Sequence, residues 1–279
     1  MFVLGFALLL TSCSTLKLVY NQSEDFTYWW LDGYVDFDSA QKDFTLQALK
    51  DIHQWHRNNE LPKYLALLDR LGDASRQDIT PAQACEVIDE VKTHALTLFH
   101  YAEPASAQLV LQFKPQQLRN IQKRYDKSNK NWREDFLDGS EAKRLKFRTN
   151  KALDQLEDLY GDLSEPQLRL LTLWLSNEGF DPRKVDAERL RRQADSLRVF
   201  KQMQQDGTPA GAQALLRTWL EQDFESPDET YRTYIHATTL KNCEGFAQLH
   251  NSTSVKQRLH LVARLAKYAD DVRGVMAKP

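Results

Sequence analysis

The chain has 279 residues, of which 42% are hydrophobic and 10% aromatic, and it carries a formal net charge of -2. A chain of this length and hydrophobic content can bury a sizeable core, which argues against an intrinsically disordered protein. The small net charge excludes a global basic field of the kind that binds polyanions, so any binding driven by charge must be local.

The chain begins with an apolar segment, residues 1–10, that matches the hydrophobic region of a signal peptide. It is too short to span a bilayer, which takes about 20 apolar residues. Leu10-Thr11-Ser12-Cys13 then has the form of a lipobox, in which small residues admit the peptidase and the Cys13 thiol receives the lipid. We therefore predict a lipoprotein signal peptide over 1–12 and a mature protein that begins at Cys13. The alternative is a core helix with an incidental cysteine, and the absence of Lys or Arg before Cys13 departs from the usual signal peptide.

A diacylated or triacylated Cys13, with palmitate among its chains, would form a stable membrane anchor, since a single chain binds only marginally. Ser14 stands where enterobacterial lipoproteins of the inner membrane carry an aspartate, and this resemblance implies residence at the outer membrane. We predict that the protein faces the periplasm. Nucleic acid is not expected as a partner of an exported protein.

The other two cysteines, Cys85 and Cys243, form an even pair once Cys13 is lipidated. An oxidising compartment such as the periplasm permits disulfides. We expect a bridge between them, and closing so long a loop stabilises a fold by about 4 to 5 kcal/mol when the loop entropy is counted. Two buried free thiols are the alternative.

The mature chain shows helical periodicity throughout, with apolar residues three and four apart over 64–71, 168–175 and 259–268. Proline at the first helical position predicts helix starts at Thr80-Pro81, Lys114-Pro115, Asp181-Pro182, Thr208-Pro209 and Ser226-Pro227. Glycines are expected to end helices, and those between the periodic runs are Gly72, Gly139, Gly161, Gly179, Gly207 and Gly211. We predict an all-α multi-helix array or bundle with short loops. It is expected to form a single domain over 13–279, and the alternative is two lobes that meet near 179–182.

One four-residue pattern recurs before the periodic runs, at 80–83, 114–117, 164–167 and 254–257. Three copies place a hydroxyl residue three positions before glutamine, which is the arrangement of a capping box. The alternative is a resemblance to the Leu-Thr-x-x-Gln motif of the small all-helical periplasmic chaperones Spy and CpxP. Irregular spacing between the copies argues against a solenoid.

The densest aromatic cluster follows the lipobox and is interleaved with aspartates; its members are Phe26, Tyr28, Trp29, Trp30, Tyr34 and Phe37. Because large aromatic side chains are usually buried, we expect them to pack in the helical core. The alternative is docking at the membrane interface, which Trp and Tyr favour.

Several short motifs resemble an uncharacterised family of bacterial lipoproteins, known by domain of unknown function 6279. They are Leu18-Val-Tyr-Asn21, Trp29-Trp-Leu-Asp32 with Tyr34 and Asp36, Trp55-His56, Glu60-Leu-Pro62 with Tyr64, Asn131-Trp-Arg-Glu134 and Tyr160-Gly161. The resemblance covers most of the mature chain and implies a cysteine pair at Cys85 and Cys243. It implies no activity.

Basic residues dominate from Lys114 to Lys151, and the first run supplies a candidate binding surface for lipopolysaccharide, anionic headgroups or an acidic partner. That surface comprises Lys123, Arg124, Lys127, Lys130, Arg133 and the aromatic Trp132. The alternative is a solvated face that is partly neutralised by the acidic segment before it.

His53, His56 and Glu60 lie one helical turn apart in succession and form a weak candidate metal site. No second ligand pair of familiar spacing follows, and we expect ordinary histidines on a helix surface. No phosphate-binding loop, nucleophile elbow or zinc-protease motif is present in the sequence, and no catalytic residues or cofactor are predicted.

The sequence thus predicts a lipid-anchored envelope protein that binds a protein partner or an anionic envelope component, as a scaffold or adaptor rather than an enzyme. A tethered holdase of the Spy and CpxP type is the alternative, and an envelope glycan hydrolase is the third possibility.

Overall fold

The computed structural model describes residues 19–277, so the lipobox and Cys13 lie outside the described residues. Within this range the chain forms eleven helices and no strand, which confirms the all-α fold. The helices are α1 (Ser23–Val35), α2 (Ser39–Asn59), α3 (Leu61–Ala74), α4 (Pro81–Leu111), α5 (Pro115–Phe136), α6 (Glu141–Tyr160), α7 (Glu165–Asn177), α8 (Pro182–Asp206), α9 (Pro209–Phe224), α10 (Glu229–Asn251) and α11 (Val255–Met276).

Proline marks the first residue of α4, α5, α8 and α9, as expected from the missing N–H that a first helical position does not need. Pro227 was expected to do the same, but α10 begins two residues later because the Asp228 side chain caps it by accepting the backbone N–H groups of Thr230 and Tyr231. Gly72 and Gly211 were expected between helices, and both lie inside helices instead.

Glutamines in the capping boxes join helices in pairs. The Oε1 atom of Gln41 accepts the backbone N–H of Asp38 at 3.1 Å, and that of Gln117 accepts the N–H of Lys114 at 2.8 Å. The two amides also bind each other reciprocally, at 3.1 and 2.6 Å. The Nε2 atom of Gln41 also donates to the carbonyl oxygen of Gln112, and that of Gln117 donates to the carbonyl oxygen of Asp36. We call this arrangement a glutamine clasp, and it ties the start of α2 to the start of α5.

A second glutamine clasp joins α7 to α11 with the same chemistry. The side-chain amides of Gln167 and Gln257 bind each other reciprocally at 3.0 and 2.9 Å. Gln167 also donates to the carbonyl oxygen of Ser252, and Gln257 donates to that of Asp162. The four accepting carbonyls in the two clasps share one position: each belongs to the residue five places before the glutamine of the same capping box. The fold therefore contains two junctions with the same hydrogen bonds, and the irregular spacing of the motif in the sequence does not reveal that its copies pair.

Helices α4 and α10 run antiparallel along each other. Asn251 at the end of α10 exchanges two hydrogen bonds with the backbone of Ile79, just before α4, at 2.9 and 3.0 Å. Further along, the sulfur atoms of Cys85 and Cys243 are 2.02 Å apart, so the predicted disulfide is present. The bridge links two residues separated by 158 positions and fixes the longest helix to the C-terminal part of the chain.

The hydrophobic core is divided into clusters that draw on distant segments. The largest joins α6, α7, α10 and α11 around the buried Tyr160, Leu171 and Leu249, and a second joins α4, α8 and α9 around Met203. Helices on both sides of the 179–182 turn pack together, α5 with α8, α6 with α11 and α7 with α10. The single-domain organisation and its two-lobe alternative stay predictions.

The packing of α7 on α10 requires a glycine. A Cβ atom built on Gly245 would lie 2.2 Å from the indole of Trp174, which is far inside van der Waals contact. The same indole donates its N–H to Asn242 at 3.0 Å. Gly245 therefore provides the space in which a large ring can pack between two helices.

Candidate binding surfaces

The first helix divides the aromatic cluster between the core and solvent. On α1, the side chains of Tyr28 and Val35 are seven residues apart on one face and are buried. Phe26, Trp29 and Trp30 occupy the opposite side, with 43%, 65% and 59% of their surface exposed. The expectation that the whole cluster packs in the core is therefore wrong for these three residues.

The exposed side chains continue towards the N-terminus. Val19, in the helical turn before α1, is 47% exposed and precedes the exposed Phe26 by seven residues. The rings of Phe26 and Trp29 meet edge to face at 6.1 Å. We call Val19, Phe26, Trp29 and Trp30 the aromatic stripe. Its helical spacing is visible in the sequence, but periodicity cannot tell a face that meets the core from one that meets solvent.

The aspartates around the stripe have structural roles. Asp32 accepts the backbone N–H of Phe37 at 2.9 Å, and Asp38 caps α2 by accepting the N–H of Gln41 at 3.0 Å. Asp36 takes a left-handed conformation with φ of 63° at the end of α1. Asp25 remains as an exposed carboxylate beside the stripe. The interleaved charges therefore shape the α1–α2 turn more than they line a binding face.

Part of the predicted basic surface lies on α5 beside the aromatic stripe. Lys123, Lys127 and Lys130 are exposed and share one face of the helix. Arg124 places its guanidinium over the ring of Tyr34, 5.3 Å from the centroid, and the ring of Trp30 is 4.9 Å from that of Tyr34. Arg124, Tyr34 and Trp30 thus form one continuous surface across α1 and α5.

The other two members of the predicted basic surface belong to the packing of α5 on α8. Arg133 forms a bidentate ion pair with the buried Asp186, with N–O distances of 2.8 to 3.1 Å. Trp132 lies under the guanidinium of Arg189 at 5.2 Å and stacks on Phe136 at 5.3 Å. Both residues hold two helices together, so the candidate surface narrows to the three lysines and Arg124.

The weak metal candidate does not converge, because each of its side chains has its own partner. Glu60 is fully buried and pairs with Lys63 at 2.7 Å and with His94 at 2.8 Å. The Nδ1 atom of His56 lies 3.0 Å from the hydroxyl of Tyr20. His53 contacts Tyr20 and Glu24. Within residues 19–277 no group of three His, Cys, Asp or Glu side chains could hold a metal ion.

These histidines fasten the segment before α1 to α2. The Nε2 atom of His53 lies 3.1 Å from the carbonyl oxygen of Tyr20, and its Nδ1 lies 2.7 Å from Glu24. Burial raises the pKa of the Tyr20 hydroxyl to about 12, so it stays protonated as a donor. Burial also lowers the pKa of His56, which favours the neutral ring that accepts this hydrogen bond. The segment that precedes α1 is therefore held against α2 at Tyr20, seven residues after Cys13.

Helix α4 exposes a second apolar face, on which Phe99 meets Phe224 edge to face at 5.7 Å. Ile88, Val91 and Phe99 are 45%, 50% and 44% exposed and lie at positions that share one side of the helix. We call these three residues the α4 face. Helix α4 packs on α2, α8, α9 and α10, and the disulfide holds its N-terminal part. The face is thus presented on a rigid element.

The structure also contains a polar groove that sequence reasoning missed. It encloses about 550 Å³ between the α7–α8 turn and α10, and its lining includes Glu178, Lys184, Glu229, Tyr234 and Lys241. Burial raises the pKa of Glu178 even though Arg148 lies beside it. A carboxylate of this kind is what the hydrolase alternative would need, and no sequence motif marks it. The hydrolase alternative stays a prediction.

Comparison with known proteins gives a family and no function. The model of a protein family of unknown function matches residues 33–232, more than two thirds of the chain. No curated protein and no solved structure matches the chain significantly. Within residues 19–277 no helix is long and apolar enough to cross a membrane.

Proposed function

Because the chain belongs to this family, DUF6279, which has no assigned activity, we propose its function from physical evidence. We propose that the protein is a lipid-anchored adaptor or scaffold of the bacterial envelope, held by Cys13 at the outer membrane and facing the periplasm. It acts by binding an envelope protein or an anionic envelope component. The disulfide supports a location in an oxidising compartment, since such bridges seldom persist in the cytosol.

The α4 face is the observation that carries the binding function. Large apolar side chains that line one side of a well-packed helix are a feature of interaction sites. Three such side chains occur on α4, close to a covalent bridge that fixes the position of the helix. A rigid face of this kind suits a defined partner, because little conformational entropy is lost on binding.

The holdase alternative draws on the chaperone-like motif, and the structure offers a different role for that motif. In three of the four copies the motif glutamine, Gln117, Gln167 or Gln257, takes part in a glutamine clasp, with Gln41 as the fourth member. Gln83, in the remaining copy, closes the capping box of α4, so each position follows from the fold. A holdase would bind many clients through several apolar surfaces. An adaptor would bind few partners through one.

The partner surface is tested by site-specific photocrosslinking in cells. A photoreactive residue is placed at Val91 in the tagged full-length protein, and a matched one at Leu259, which is 56% exposed on α11. We expect a few stoichiometric partners from position 91 and none from position 259. Many substoichiometric proteins captured equally from both positions would support the holdase, and no capture from position 91 would refute the role of the α4 face.

The anchor is tested separately by metabolic labelling with palmitate. The wild-type protein is expected to incorporate label, and the Cys13→Ala variant is expected to lose it. A Cys243→Ser variant, which lacks the bridge and keeps Cys13, serves as the control and should remain labelled. Label that persists in the Cys13→Ala variant would refute the assignment of the anchor.

A further inference from the structure

We infer that the aromatic stripe lies in the headgroup layer of the membrane that holds the lipid anchor, with the basic face of α5 beside it at the same surface. This inference rests on the proposed function, because it takes the membrane to which Cys13 is anchored as the partner of the stripe. The stripe would then be a second membrane contact and would set which side of the body faces the periplasm.

The length of chain between the anchor and the stripe limits where the stripe can lie. Val19 lies six positions after Cys13. Even a fully extended chain gains only about 3.3 to 3.6 Å per residue, so Val19 stays within about 20 Å of the lipidated cysteine. From Val19 to Trp30 the largely helical chain advances by about 16 Å. Trp30 therefore stays within about 36 Å of the lipidated cysteine, and this tethering lets even a modest preference for the interface produce binding.

The side chains of the stripe suit the interface in particular. Tryptophan combines a large apolar ring with an N–H donor, and it is enriched at the headgroup level of membranes for this reason. The indoles of Trp29 and Trp30 form no hydrogen bond within residues 19–277, whereas that of Trp174 is bonded to Asn242. Water or headgroup oxygens are left as their acceptors.

Charge favours lipid over a second copy of the chain. The exposed acids on α1 and at its end are Asp25 and Asp36, and Arg124, Lys123 and Lys127 lie on the neighbouring helix. The cations can contact phosphate groups while their aliphatic stems lie along the apolar zone. A symmetric dimer formed through this face would bring the cations of both copies into one interface, where like charges placed close together repel.

The test uses the acylated full-length protein in vesicles of phosphatidylethanolamine and phosphatidylglycerol. Tryptophan fluorescence is quenched either by brominated lipids or by acrylamide in the water. We expect the brominated lipids to quench the wild type, and the quenching to fall at least about threefold in a Trp29→Phe/Trp30→Phe variant, because few other indoles approach the lipid. A Trp174→Phe variant is the control and should lose less than about a third of it. Phenylalanine retains the apolar ring, so both variants should keep the fold.

The outcomes separate the inference from the anchor. If the protein floats with the vesicles but Trp29 and Trp30 respond only to acrylamide, the anchor stands and the docking is refuted. If both quenchers fail and the protein sediments as a dimer, the stripe binds a second copy and the inference is again refuted. If mass spectrometry shows no acyl chain, the anchor has failed, and quenching by brominated lipid of the protein added to vesicles still decides whether the stripe binds lipid.

Discussion

Replacing Gln41 by alanine tests whether the glutamine clasps stabilise the fold. Gln41 is 2% exposed, and its amide takes part in hydrogen bonds with Asp38, Gln112 and Gln117. Four hydrogen bonds are lost, each contributing about 1 kcal/mol to the free energy of unfolding, and water can replace some of them at the edge of the clasp. We expect Gln41→Ala to lower the free energy of unfolding by about 3 kcal/mol.

The chain supplies a matched control in Gln83. This glutamine holds the same position in the capping box of α4 and accepts the backbone N–H of Thr80 at 2.8 Å, but it is exposed and has no glutamine opposite. Gln83→Ala should therefore lose only the cap, about 1 kcal/mol.

The assay is urea unfolding of the oxidised protein followed by circular dichroism, with the slope of the transition compared between variants to check that it remains two-state. Equal losses at positions 41 and 83 would show that capping alone accounts for the motif. The pairing of the glutamines would then be a consequence of the fold and not a cause of its stability.

Three further results are expected from the described contacts. A Cys85→Ser variant, which also frees Cys243, should lose up to about 4 kcal/mol of unfolding free energy and the mobility difference between reduced and non-reduced gels; if the wild type shows no such difference, the bridge is absent. Arg133→Ala should lower the urea midpoint, because the buried Asp186 loses its bidentate partner, although the partly exposed guanidinium is screened by solvent; an unchanged midpoint would contradict the role of Arg133 in the packing of α5 on α8. Burial lowers the pKa of His250, so the unfolded state takes up protons first and the unfolding free energy should fall as the pH drops below about 6.5; a His250→Asn variant with the same pH dependence would contradict this.

The sequence predicted the helices well because their signals are local. Proline at the first position and a hydroxyl or acidic cap act within one turn, and they placed the starts of α4, α5, α8 and α9 correctly. The disulfide was predictable for a different reason, since the predicted lipidation of Cys13 leaves Cys85 and Cys243 as a single possible intramolecular pair. Neither inference required knowledge of how distant helices pack.

The errors arose where a side chain has a distant partner. Arg133 and Trp132 look like members of a basic, aromatic surface, but their partners Asp186 and Arg189 lie more than fifty residues away on α8. A run of cations gives no indication of which members face another helix. The same limit applies to Trp29, whose exposure depends on which helices pack against α1 within residues 19–277 and not on its neighbours in sequence.

The placement of these surfaces has a consequence for how an adaptor of this kind would work. The aromatic stripe extends from a segment whose Tyr20 is fastened to α2 through His53 and His56, so a membrane contact there is coupled rigidly to the body and not through a loose tether. Helix α2 packs on α4, which carries the α4 face. If the stripe sets the orientation of α2 at the membrane, it also sets the direction in which the α4 face is presented. Removing the stripe by Trp29→Ser/Trp30→Ser should then reduce crosslinking from position 91 while palmitate labelling is unchanged, whereas undiminished crosslinking would show that the anchor alone suffices to present the α4 face.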